Sequence, residues 1–192
     1  MAKPILFVVR SAAGFLSAVF LFASFDCIAQ AQQKIQKHIT TVAPSGLPLP
    51  RFVSLKSNRI NARVGPDQNK YAIAWTYRRQ GLPVEIVQEY DNWRRIRDSD
   101  GEQGWVNQAL LSGRRTAIIT PWQKDKKQLQ DMHKQPSANS ALAARVEPGV
   151  IGNIRQCNGE WCELAIGKNR GWLKQNKLWG VYLGEKINST NW

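Results

Sequence analysis

Three observations predict an all-β protein made of two small, similar domains. Short β-rich runs follow one another from Arg51 onward, separated by turn residues: "RFVSL", "AIAWTY", "LPVEIV", "NWRRIR", "GWVN" and "TAII". Such tight spacing leaves no room for crossover helices and points to small barrels or sandwiches. The pattern then recurs, because "EYDNWRRIRDSDGEQGWVNQALLSG" (89–113) lies over "QCNGEWCELAIGKNRGWLKQNKLWG" (156–180). Finally, apolar and polar residues alternate with a period of two inside both copies, as half-buried strands require.

The N-terminus comes first and sets the compartment. Lys3 and Arg10 form a cationic start, "AAGFLSAVFLFASF" (12–25) is apolar, and "CIAQAQQ" (27–33) offers small residues at a cleavage site. This reads as a secretory signal peptide over 1–31, cut after Ala29 or Ala31, and predicts a periplasmic or secreted protein. A retained anchor is the alternative, but the apolar stretch falls short of the ~20 residues a membrane span needs. A lipoprotein cut at Cys27 is disfavoured by Phe25 and Asp26 just before it. The mature chain is then expected to carry no transmembrane span.

Residues 32–52 are polar and then rich in Pro and small residues ("APSGLPLP"), so they are expected to form a flexible lead-in. The first domain is expected over 53–120. In its 93–97 run, Arg94 and Ile96 share the inner side, while Trp93, Arg95 and Arg97 share the outer. Val106 points inward by the same rule and leaves Trp105 opposite. A hairpin turning near Asp100-Gly101 sets Arg95 beside Trp105.

After a linker at 121–127, the second domain is expected over 128–184, followed by a tail at 185–192. Trp161 and Leu164 match Trp93 and Ile96, and Gly171-Trp172-Leu173 matches Gly104-Trp105-Val106. Upstream, Pro136 pairs with Pro66 and Gly149 with Gly81. The alternation puts Trp161 on the outer, half-wet face, and Trp172 opposite the inward Leu173. Cys157 and Cys162 flank the turn former Asn158-Gly159, so in an oxidising compartment they read first as a disulfide across a hairpin tip. A redox pair or half a metal site is the sharper reading. The spacing is not C-x-x-C, and no histidine lies nearby in sequence. Trp179 is expected to close the second barrel.

A tryptophan after a polar turn, a short strand, a Gly-containing turn, Gly-aromatic-aliphatic and a final hydrophobic pair resembles the latter half of an SH3-like barrel. It is written here as "NWRRIRDSDGEQGWVNQALL" and again as "EWCELAIGKNRGWLKQNKLW". The segment "INARVGPDQNKYAIAWTYRRQGLPVEIV" resembles the opening of bacterial SH3 domains. The chain is similar, over roughly 53–184, to secreted Gram-negative proteins with tandem SH3-like domains and little assigned function. The resemblance implies two tandem small SH3-like β-barrels behind the signal peptide and lead-in. It does not imply polyproline binding, since "RINARVG" replaces the tyrosine motif at the start of eukaryotic SH3 domains. Copy two departs at its start, where "QLQDMHKQP" replaces "NRINARVGP".

Catalysis finds few candidates. His38 falls in the lead-in and His133 at the start of copy two, neither with Cys or Ser in a recognisable motif. The acids Asp67, Asp91, Asp98, Asp100 and Glu102 sit in turn-like stretches, where carboxylates suit turn backbones. No catalytic residue, metal ligand or cofactor is therefore assigned, and the enzyme reading comes last. Binding is better supported. Lys+Arg outnumber Asp+Glu 27 to 14, giving a net charge of +13, and there are eight tryptophans. The candidate ligand-binding residues are Trp75, Tyr77, Trp93, Arg95, Arg97, Trp105, Trp161 and Trp172. Outward aromatics and arginines suit peptides, carboxylates and phosphates. The expected partner is peptidoglycan or an envelope protein or peptide. An anionic polymer or lipid surface is the alternative, and export argues against nucleic acid. The sequence sets no oligomeric state.

Overall fold

The computed structural model describes residues 41–126 and 128–188. The expected signal peptide with Cys27, and the part of the lead-in holding His38, lie outside the described residues. Strands β1 (Thr41–Val42) and β2 (Pro48–Leu49) pair as a short hairpin. There follow β3 (Arg51–Leu55), β4 (Ile60–Arg63), β5 (Ile73–Tyr77), β6 (Pro83–Tyr90), β7 (Trp93–Arg97), β8 (Gln103–Asn107) and β9 (Leu111–Ser112). They hydrogen-bond in the order β5-β4-β8-β7-β6-β3-β9. The second set is β10 (Thr116–Ile119), β11 (Gln130–His133), β12 (Leu142–Val146), β13 (Ile151–Asn158), β14 (Trp161–Ile166), β15 (Asn169–Lys174), β16 (Leu178–Trp179) and β17 (Lys186–Ile187). Its order, β12-β11-β15-β14-β13-β10-β16 with β17 on β13, repeats the first step for step.

The repetition extends to the irregularities. Register shifts fall between Ala62 and Arg63 and between Ile86 and Gln88, and again between Met132 and His133 and between Ile154 and Gln156. Gly81 and Gly149 both take the left-handed backbone. Each sheet wraps its own core: Leu55, Ile60, Ala62, Val84, Ile96 and Val106 in the first, Ile119, Met132, Ile154, Leu164, Leu173 and Leu178 in the second. Burying each larger aliphatic side chain contributes about 1.5–3 kcal/mol before entropy is charged against it. The start of copy two, despite "QLQDMHKQP", forms β11 in the place of β4.

Four of the expected segment assignments are corrected. Residues 41–52 are no loose lead-in: Ala43 and Leu49 enter the first core, and Arg51–Leu55 is a strand of the first sheet. Thr116–Ile119 was expected inside the first domain, but it pairs with β13 and β16 of the second. All four of its residues are buried, so its pattern carries no alternation to show which sheet it joins. The chain therefore changes barrel across Gly113–Arg115. Pro121, placed in a linker, is buried, and the neighbouring Thr120 N–H donates to the Lys177 carbonyl at 2.7 Å. Finally, Lys186–Ile187 is not a tail, because it pairs with β13 and Ile187 joins the second core.

The barrels meet along a seam. Thr116 donates its hydroxyl to the Gly81 carbonyl at 2.7 Å. The Trp179 indole donates to the Pro83 carbonyl at 3.2 Å and stands edge-on to Phe52 at 5.2 Å. Trp179 thus crosses to the other barrel instead of closing its own. The Tyr182 hydroxyl donates to Glu85 at 2.8 Å and its ring tilts against Phe52 at 4.8 Å. Glu85, 1 % exposed, takes its second partner from Arg97 of its own barrel. Arg115 lies over Phe52, and Glu185 holds it at 2.7 Å.

Candidate aromatic and arginine row on the first barrel

Strand register builds a row across the first barrel. Ile73 pairs with Arg63, Arg63 with Trp105, Trp105 with Arg95, and Arg95 with Gln88. Directly paired residues face the same way, with Cβ atoms about 4.5–5.5 Å apart. The neighbours Ile96, Val106 and Ala62 are buried, so this row faces outward. The expected meeting of Arg95 and Trp105 is therefore present. Trp105 is half-buried and Arg95 exposed, with no hydrogen bond or ion pair to its guanidinium among the described residues. Arg63, which sequence reasoning passed over, donates to the Tyr71 carbonyl at 2.6 Å and flanks Trp105 from the other side.

The second barrel carries the same row with different chemistry: Leu142, His133, Trp172, Glu163, Gln156. Glu163 stands where Arg95 stands. It is held by Arg170 at 3.2 Å and by the Gln156 amide at 3.1 Å. The His133 ring is engaged with the Ser140 carbonyl at 2.9 Å. One row thus offers a free cation beside a tryptophan, and its counterpart is closed by internal pairs.

The other candidates divide. Trp93 is half-buried between Tyr90 and Asn107, one step along the outer face. Arg97 shares that face, but its guanidinium is committed to Glu85 through two bonds. Trp75 and Tyr77 do not extend the outer row. They pair with Ala62 and Ile60, which are buried, so they face the core. The Trp75 ring lies over Gly104, where a Cβ would come within 3.1 Å of it. Burial, then the Asp98 carboxylate accepting its proton at 3.0 Å, pushes the Tyr77 phenol far above its ordinary range. Trp161, expected half-wet, is 5 % exposed because Lys174 lies over its ring at 5.4 Å and His133 meets its edge at 5.7 Å.

One pair of inner positions matches strand for strand. Glu89 faces Arg94 in the first barrel, and Cys157 faces Cys162 in the second. The cysteines form the expected disulfide. Glu89 and Arg94 form a buried ion pair at 3.2 Å, and Arg51 joins it at 2.5 Å. Burial raises the Glu89 carboxyl, but hydrogen bonds from Arg51 and from the Ser45 hydroxyl and N–H outweigh it, so the group sits below its ordinary range. Two of the five turn carboxylates hold turn backbones: Asp67 accepts from the Asn69 and Lys70 N–H groups, and Asp98 from those of Asp100 and Glu102, whereas Asp100 pairs with Lys124 at 3.3 Å.

The bacterial SH3 domain model matches residues 56–113 and 126–180. No curated protein matches the chain. Among solved structures, NlpC2 from Trichomonas vaginalis is 14 % identical over 68 % of this chain and 48 % of its own, with a TM-score of 0.30. NlpC1 from the same organism is 13 % identical over 72 % and 48 %, at 0.31. An NlpC/P60 family protein from Bacillus cereus ATCC 10987 is 12 % identical over 67 % and 55 %, at 0.26. The chain spans about half the length of these structures. With two matches covering more than half of it, one to each barrel, the chain belongs to the bacterial SH3 domain family.

Proposed function

We propose that this chain is a non-enzymatic binding protein of the cell envelope, holding peptidoglycan or an envelope peptide on the first barrel's outer row. The carrying observation is the exposed Arg95, whose guanidinium has no partner among the described residues and which pairs across strands with half-buried Trp105. A flat apolar ring beside a planar cation suits a ligand that alternates apolar surface with carboxylates, as peptide stems do. Glu163 cancels that combination on the second barrel. Bacterial SH3 domains often bind peptidoglycan, which supports the substrate class. The family and the disulfide both support a site of action outside the reducing cytoplasm.

Retention on isolated peptidoglycan sacculi at low and high salt tests this. Trp105→Ala and Arg95→Ala are expected to weaken retention about tenfold each, as loss of a central contact does. Trp172→Ala should leave it unchanged. No retention at either salt, or equal loss in all three variants, overturns the reading. Release of soluble fragments from the sacculi would overturn the non-enzymatic part.

A further inference from the structure

Two adjoining grooves follow the connector between the barrels, and Arg114 walls both. The larger, about 300 Å³, is lined by Arg114, Arg115, Asn153, Ile154, Arg155 and Ala165. The smaller, about 190 Å³, is lined by Leu55, Lys56, Gln80, Ser112 and Arg114. Among the described residues no carboxylate lines either one. Arg115 is matched by Glu185 and the Gly180 carbonyl. The side-chain cations of Arg114, Arg155 and Lys56 are exposed and have no hydrogen bond or ion pair among the described residues.

The fold gathers these cations. Thr116 faces Asn153, and the Ile154 N–H donates to the Arg115 carbonyl, which runs Arg114 alongside Arg155. Arg155 is the residue at the register shift between Ile154 and Gln156, where a bulge turns a side chain out of strict alternation. Val87 holds the equivalent place in the first barrel.

The second barrel lacks an acid that the first barrel has at this place. Asn153 and Ala165 face each other as Glu85 and Arg97 do. In the first barrel, Glu85 neutralises its arginine and Tyr182 covers the pair. In the second, the acid has become an amide, and the exposed guanidiniums of Arg114 and Arg155 rim a floor formed at Ala165. Like charges gathered on one side of a groove without the acid that neutralises the equivalent place in the first barrel favour an incoming anion.

We propose that this seam binds phosphoryl groups, with Arg114 and Arg155 as the primary grip, the Asn153 amide as a further donor, and Lys56 taking a second charge in the adjoining groove. Several donors around one floor suit an oxyanion with three or more free oxygens, and two linked grooves suit a repeating phosphodiester. The source is a phosphate-bearing polymer or the headgroups of an anionic lipid surface. The site is separate from the Trp105–Arg95 row and does not rest on the peptidoglycan reading.

Nitrogen-15 spectra of the whole chain, recorded over the arginine Nε–H region at constant ionic strength, provide the test. Inorganic phosphate should shift Arg114 and Arg155 selectively, while chloride should not. Arg114→Gln with Arg155→Gln should weaken binding of a glycerol-phosphate oligomer about tenfold or more, since hydrogen bonds to charged groups are lost. Arg95→Gln should bind it normally. Vesicles containing phosphatidylglycerol, compared with phosphatidylcholine alone, report the lipid source by co-sedimentation. Shifts spread evenly over all exposed arginines, or equal oligomer binding by the double variant, overturn the proposal. Both side chains are exposed and have no partner among the described residues, so the variant is expected to fold, and an unchanged thermal midpoint verifies it.

Discussion

Arg94 and Cys162 occupy one position in two copies of the same hairpin, and each ties its strand to the strand opposite. The ionic tie answers to acid and the covalent one to reductant. The Glu89 carboxyl is held below its ordinary value of 4.5, so its contribution is complete above that value and disappears as pH falls through its lower, folded-state value. Glu89→Gln should therefore destabilise the chain by about 3 kcal/mol at neutral pH, as breaking a buried pair does. The difference from wild type should shrink in strongly acidic buffer, and urea titrations across pH check it. Cys157→Ala with Cys162→Ala removes a six-residue ring (separation 5) and should cost about 2 kcal/mol, independent of pH in the acid range. The Tyr77 and Tyr182 phenols are both pushed far above their ordinary value of 10.0, first by burial and then by Asp98 and Glu85 respectively. Their contribution is intact below about pH 10 and is lost as pH climbs above it, with both phenols staying protonated while the fold persists. An alkaline absorbance titration should show two of the four tyrosines ionising only on unfolding.

At the scale of elements, Gly180 follows β16 with a φ of +119°, and a Cβ there would lie 2.3 Å from the Thr116 carbonyl oxygen. Gly180→Ala must either move β16 off β10 or lift the seam, at a cost of about 3 kcal/mol or more. A lowered denaturation midpoint with an unchanged far-ultraviolet spectrum is the expected result. Such a position was legible only as a repeat of Gly113, since nothing local announces the carbonyl that crowds it. What sequence did carry were the features set by neighbours in the chain: the β6–β8 and β13–β15 hairpins, the inward Arg94 and Ile96, the meeting of Arg95 with Trp105, and the disulfide. Alternation could not tell that Trp75 and Tyr77 face the core, because β5 is an edge strand whose neighbouring residues are largely exposed. Nor could it show that Lys174 and His133 cover Trp161, or that Arg63 flanks Trp105. His133 and Arg63 reach these rings from strands distant in sequence, and Lys174 by a hairpin register that alternation alone does not set.

For the whole molecule, the seam decides how the barrels behave together. Glu85 is buried only because Tyr182 and Arg97 satisfy it, and Phe52 only because Trp179, Tyr182 and Arg115 surround it. The two barrels should accordingly melt in one calorimetric transition, while Phe52→Ala should split it into two, the first several degrees below the wild-type midpoint. The partners in that contact are far apart in the chain, 97 residues separating Glu85 from Tyr182. During synthesis, the first barrel is therefore complete in its strands well before its seam is covered. Throughout that interval it presents the bare ring of Phe52 and a Glu85 carboxylate held by Arg97 alone. Any fragment ending before Trp179 keeps that face permanently. Such a fragment is expected to be stickier than the whole chain, so Trp179 and Tyr182 serve the solubility of the barrel that precedes them.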